Sequence, residues 1–252
     1  MSTMHREKTA AAACAFLLAL CAGLPGARGA AAGSQKNKKK AEASEGRTLL
    51  VEERGKFRVV VDGKDAGSED FEIRPEGQGW VARGTAEITA EGGTAKVTGK
   101  LELTGDGTPA HYEWTTTAPK PAAASIAFRG GVATMELRLA GAAPYTQEFR
   151  FETPNVLILD NNMYHQYAIL ARLYDWEHKE PKTYPVLIPQ DLTPGSVQVE
   201  YAGQQALEGI KTDVLRVRST DLEVQLYCEN GRLLKIESPG SKAEIIRELP
   251  RK

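Results

Sequence analysis

The chain has 252 residues, 41 % of them hydrophobic, and a formal charge of −1. That length is ample for one core, and with the basic residues concentrated before Thr48 the rest is mildly acidic, which argues against nucleic-acid binding. Three cysteines in the whole sequence exclude a disulfide-rich scaffold.

Residues 1–30 read as a secretory signal peptide. A short charged opening (His5, Arg6, Glu7, Lys8) precedes an apolar run from Ala10 to Leu24, and small residues follow around Ala27–Ala32. The apolar run is about fifteen residues, short of the roughly 20 that span a bilayer, and no later run approaches that length. The expectation is export to the periplasm or cell envelope, with no membrane span. Leu18-Ala19-Leu20 before Cys21 offers a second mode, a lipid anchor on Cys21. Cys14 and Cys21 fall in the signal, which leaves Cys228 alone, a small buried hydrophobe on a strand face with Leu222, Val224 and Leu226.

Residues 31–47 read as a disordered Lys-rich linker. Lys36, Lys38, Lys39, Lys40 and Arg47 outweigh Glu42 and Glu45, and the composition is low in hydrophobicity.

From Thr48 to the end the dominant signal is period two, expected of one β domain over 48–252. Ala95, Val97, Leu101 and Leu103 alternate with Lys96, Thr98, Lys100 and Glu102. Phe57 and Val59 alternate with Arg58, although Val60 blurs the pattern. Tyr112 and Trp114, then Met135, Leu137 and Leu139, then Val197, Val199 and Tyr201 repeat it. Asn230-Gly231 is the sharpest hairpin signal, because both residues tolerate positive φ. Gly130-Gly131, Gly92-Gly93 and Asp62-Gly63 mark further turns. Strands every ten or so residues, with no long helices between them, predict an all-β fold: a strongly curved antiparallel meander, open or loosely closed as a barrel.

One stretch departs from this. Asp160-Asn161-Asn162 supplies candidate N-caps, and Met163, Tyr167, Leu170 and Tyr174 recur at helical spacing. The prediction is one helix at about 160–176, apolar nearly all round, serving as plug or lid. In Pro181–Pro189 the prolines permit only a short edge strand or an extended loop.

No catalytic constellation is present: no G-x-S-x-G, no H-E-x-x-H, no phosphate loop. His111, His165 and His178 have no metal-ligand spacing. His165 reads as a satisfied helix histidine, His178 as a solvated loop residue, and the acidic residues as a solubility feature of solvent faces. The expectation is therefore no enzyme, no cofactor and no metal.

The region from Asn155 to Glu248 resembles a group of exported bacterial proteins. The likeness is carried by the aromatic helix, by Tyr184-Pro185-Val186-Leu187-Ile188-Pro189, and by the closing hairpin Tyr227-Cys228-Glu229-Asn230-Gly231-Arg232-Leu233-Leu234-Lys235-Ile236. More broadly, the chain from the linker onward resembles single-sheet, incomplete-barrel proteins that include periplasmic lipoprotein carriers. That resemblance implies a bent sheet holding acyl chains under a helical lid. It carries over no individual binding residue.

The leading expectation is an envelope protein that binds an apolar or lipid-like ligand without catalysis. Phe57, Val59, Trp114, Tyr164, Tyr167 and Tyr174 are the candidate lining residues. The alternative is a structural or assembly factor that docks an envelope protein partner through an edge strand or the Pro-rich segment. A hydrolase of an envelope polymer ranks third.

Overall fold

The structure is a computed structural model that describes residues 50–90, 93–117, 121–220 and 222–249. The signal-like segment, Cys14, Cys21 and the Lys-rich linker lie outside the described residues.

The described chain forms one 15-stranded sheet ordered β8-β7-β6-β5-β4-β3-β2-β1-β15-β14-β13-β12-β11-β10-β9. In chain order its strands are β1 (Glu53–Val61), β2 (Lys64–Glu76), β3 (Gly79–Ala90), β4 (Gly93–Leu103), β5 (Pro109–Thr116), β6 (Ala122–Arg129), β7 (Val132–Leu139), β8 (Tyr145–Arg150), β9 (Leu157–Ile158), β10 (Lys182–Ile188), β11 (Thr193–Leu207), β12 (Ile210–Arg218), β13 (Glu223–Glu229), β14 (Arg232–Ser238) and β15 (Ala243–Arg247). Almost every neighbour in the sheet is the next strand in sequence. The exception is the antiparallel β1–β15 pair, which joins two halves of the meander; the consecutive β9 and β10 differ in pairing parallel, over two residues.

No ladder joins β8 to β9, so the sheet is an open meander and not a closed barrel. It is nevertheless strongly bent. Tyr112 on β5 reaches Asp160, just beyond β9, and Thr108 reaches Asn155. Side chains thus bridge the gap that the ladders leave open.

Alternation produces the dry face. In β4 the residues Ala95, Val97, Leu101 and Leu103 are buried while Lys96 is exposed. The blur at Val60 has a local cause: the β1–β2 register slips between Val59 and Val60, and a bulge there turns consecutive residues inward. The hairpin at Asn230-Gly231 has positive φ at both residues, 51° and 73°, the backbone requirement that favours Asn-Gly in a tight turn.

The helix is shorter than the sequence suggests. α1 runs His165–Leu173, not 160–176, and its N-cap is Tyr164, with no side-chain cap. Asp160, Asn161 and Asn162 do not cap it, because Asn162 turns into the left-handed region (φ 64°) and Asp160 is engaged elsewhere. At the other end Tyr174 is extended.

The Pro-rich segment is also corrected. β10 is a full strand, paired with β11 along its length and with β9 on its far side. Pro185 fits because β9 pairs only beyond it, at Val186 and Leu187. The edge of the sheet is therefore β9.

Among the described residues no helix is long and apolar enough to cross a membrane.

Candidate functional site

The segment from Asp160 to Glu180 crosses the concave face before the chain re-enters the sheet as β10, and the wall beneath it is built to receive it. One register row runs Gly55, Phe71, Gly84, Gly99, Trp114, Ala124, Leu137 across β1 to β7. Directly paired residues share a face, so this row has two adjacent glycines at its middle. A Cβ on Gly84 would stand 2.5 Å from Glu69 Oε1 and 2.6 Å from His165 Nδ1; one on Gly99 would stand 3.0 Å from the Tyr112 hydroxyl and 3.1 Å from Met163 Sδ. The missing side chains are the space into which the start of α1 descends.

Two carboxylates fasten it there. Glu69, on β2, and His165, the first residue of α1, both have side chains 0 % exposed. The His165 ring donates through Nδ1 to Glu69 Oε1 at 2.5 Å, and its backbone N–H donates to Oε2 at 2.9 Å. A carboxylate accepts only, so the bond fixes the Nδ1–H tautomer. Phe71 stacks on the same ring at 6.1 Å.

The second carboxylate is Asp160. Its Oδ2 accepts from the Tyr112 hydroxyl at 2.7 Å, and its Oδ1 accepts from the backbone N–H groups of Asn161 (3.0 Å) and Gln190 (3.2 Å). Its own N–H donates to Gln166 Oε1. Burial, opposed by the Tyr112 and backbone hydrogen bonds, pushes its carboxyl up to about 7. Burial, and then the Asp160 charge, push the Tyr112 phenol well up, so it remains a donor.

These two residues correct the expectation that acidic side chains occupy solvent faces. Glu69 shares the strand parity of Phe71 and Ile73, which are buried, and that parity is the signal that could have found it. For Asp160 the usable signal is weaker: it directly follows the buried run Val156–Leu159.

Three polar atoms at the seam between α1 and the sheet have no hydrogen-bond partner among the described residues: Trp114 Nε1, His165 Nε2 and Gln166 Nε2. Buried polar atoms are rarely left unpaired, and each such group calls for an explanation.

A third set of charges sits at the other end of α1. Arg247, its side chain 1 % exposed, donates to Glu53 Oε2 at 3.2 Å and lies 5.0 Å from the Phe71 ring centre and 5.9 Å from that of Phe57. Arg172, in the last turn of α1, donates to the Asn230 carbonyl at 3.0 Å. Leu173 packs over Gly107. The C-terminal end of α1 is thus gripped by the β4–β5 loop and the β13–β14 turn, elements that the bending of the sheet brings together.

The six candidate lining residues fall in two groups. Phe57, Val59 and Trp114 are buried on the concave wall; Phe57 stacks on Phe71 at 5.0 Å. Tyr164, Tyr167 and Tyr174 belong to the crossing segment: Tyr164 caps α1, Tyr167 lies within it, and Tyr174 ends it, with its hydroxyl donating to the Glu180 carbonyl. Wall and cover are therefore in contact, and α1 occupies the interior. Two hollows open at the surface, of about 200 Å³ between Thr104 and Val156 and about 410 Å³ between Asp62 and Glu244, and neither touches α1. His111 bonds Ser125, and His178 sits exposed on Asp175; neither belongs to this site.

Among the described residues no group of three or more His, Cys, Asp and Glu side chains could hold a metal ion. No family model matches the chain, and no curated protein matches it. Among solved structures the chain is similar to a DUF1089 family protein from Pseudomonas aeruginosa, at 12 % identity and a TM-score of 0.44, over 68 % of this chain and 89 % of that one.

Proposed function

We propose that this is an exported envelope protein that binds one apolar or lipid-like molecule on its concave face, without catalysis, by exchanging α1 for the ligand. The observation that supports this reading most is the seam beneath α1. An apolar wall carries the unpaired buried Trp114 Nε1, and the element facing it, α1, which belongs to no ladder of the sheet, carries unpaired His165 Nε2 and Gln166 Nε2. Ligand sites combine apolar walls with a few polar groups in this way. A nine-residue helix is too short to be stable by itself, so α1 depends on the wall and can give way when something else covers it. Burying about 300 Å² of ligand would contribute roughly 7 kcal/mol before the costs of ordering.

The test is titration of the purified chain with cis-parinaric acid, together with native mass spectrometry of protein taken from the envelope of its producer. Saturable binding near one molecule per chain, or a co-purifying apolar mass, supports the reading. If saturable uptake and an added mass are both absent across several preparations, the reading fails.

The docking alternative has one observation in its favour. β8 is an edge strand, and Tyr145 on it is half exposed; an extended partner segment could add there. In the Pro-rich segment β9 already covers Val186 and Leu187 of β10, which leaves only Lys182–Pro185 without a strand on that side.

A further inference from the structure

Asp160 is the joint at which the start of the crossing segment meets β5 and the turn that follows β10. Tyr112 reaches it from β5, Asn161 from the start of the segment, and Gln190 from the short 3-10 helix Pro189–Asp191 after β10. Around it the segment is tied to that turn: Gln190 Nε2 donates to the Asn161 carbonyl, and Asn161 Nδ2 donates to Asp191. The titratable and charged groups facing this joint are Tyr112 from β5, His165 from α1 with Glu69 of β2 bonded to it, and Asp191 from the 3-10 helix. No Lys or Arg forms an ion pair with Asp160 among the described residues.

We propose that Asp160 is a proton-operated latch on this cover: loss of its proton loosens the segment Asp160–Glu180 and opens the concave face. The inference rests on the binding reading above and supplies its regulation. The physical cause is a buried anion whose partners are all neutral dipoles. The neutral carboxyl avoids the cost of burying a charge with no cation beside it, a cost that outweighs the three hydrogen bonds donated to the anion. Burial pushes the carboxyl up to about 7. The cover is therefore tight in acid and loosens as pH rises toward 7.

Hydrogen–deuterium exchange of the full chain between pH 5.5 and 8.5, corrected for intrinsic rates, tests this. Peptides covering 160–180 should lose protection as pH rises from 5.5 to about 7, by up to about tenfold per pH unit, the limit for one proton, and level off above that. Peptides from β2 to β4 should not change. In Asp160→Asn, which cannot ionise, keeps an acceptor for the two backbone N–H groups and can only donate toward Tyr112, the 160–180 profile should be flat. In Tyr112→Phe, which removes a bond that favours the anion, the midpoint should move to higher pH. A wild-type profile without a pH step overturns the latch, and so does a step that survives in Asp160→Asn. If that variant does not fold, an unmoved midpoint in Tyr112→Phe decides against it. Parinarate binding separates the two ideas: binding without a pH step rejects the latch alone, and a pH step without binding rejects the ligand reading alone.

Discussion

Glu69 and His165 stand 96 positions apart in the chain, and a single carboxylate of Glu69 accepts both the ring and the backbone N–H of His165. Through this contact the sheet sets where α1 begins. Removing the carboxylate would strand two buried donors, and breaking a buried pair from one side costs about 3–5 kcal/mol. Glu69→Ala should therefore lower stability by about 3 kcal/mol in urea denaturation. Glu69→Gln keeps an acceptor oxygen and should cost less.

The glycine floor makes a steric prediction. Gly84→Ala places a Cβ against Glu69 and His165 at distances that no real contact tolerates, 2.5 and 2.6 Å. The cost expected is about 2–3 kcal/mol, with faster amide exchange in α1 as its local signature. Gly99→Ala meets Tyr112 and Met163 at 3.0 and 3.1 Å, so its effect should be smaller and the order of the two variants is itself a check.

Asp160 also predicts the pH dependence of global stability. Its folded value, about 7, lies above the ordinary 3.8. The folded state thus holds a proton that the unfolded chain has lost between those values. Its contribution falls as pH rises from about 4 to about 7, and the full penalty, on the order of 4 kcal/mol, is present above that. Asp160→Asn should narrow the stability difference between pH 5 and pH 8 measured by urea midpoints.

Cys228 is fully buried, and burial pushes its thiol well up. Iodoacetamide at pH 8 should label it slowly in the native protein and quickly in urea, read by peptide mapping of the Cys228 peptide. Fast native labelling would show that β13 opens locally.

The strands were legible because each side chain reports its own face. Ala95 to Leu103 alternate in sequence and in burial alike, and Asn230-Gly231 turns as its residue types require. The limits of α1 were not legible, because apolar periodicity continues through Tyr174 while the backbone obeys Asn162 and the Asp160 joint. The site was legible only in part. Trp114 and Tyr167 could be singled out as aromatic, and the parity of Glu69 with Phe71 pointed inward. Nothing local, however, joins Glu69 to His165, since their pairing is created by the bend of the sheet. Gly84 and Gly99 interrupt strand patterns, a sign of close backbone approach, but a gap does not say what fills it.

The β1–β15 pair has a further consequence. Glu53 and Arg247 meet across 194 positions, whereas nearly every other pairing is between consecutive strands. A chain emerging from its N-terminal end can zip β1 through β8 in order, since local hairpins form fast. β1 must keep one raw margin until the last strand arrives to cover it. That border stays sticky while β2 to β14 are made, and loss of β15 would leave it permanently bare and inclined to self-association.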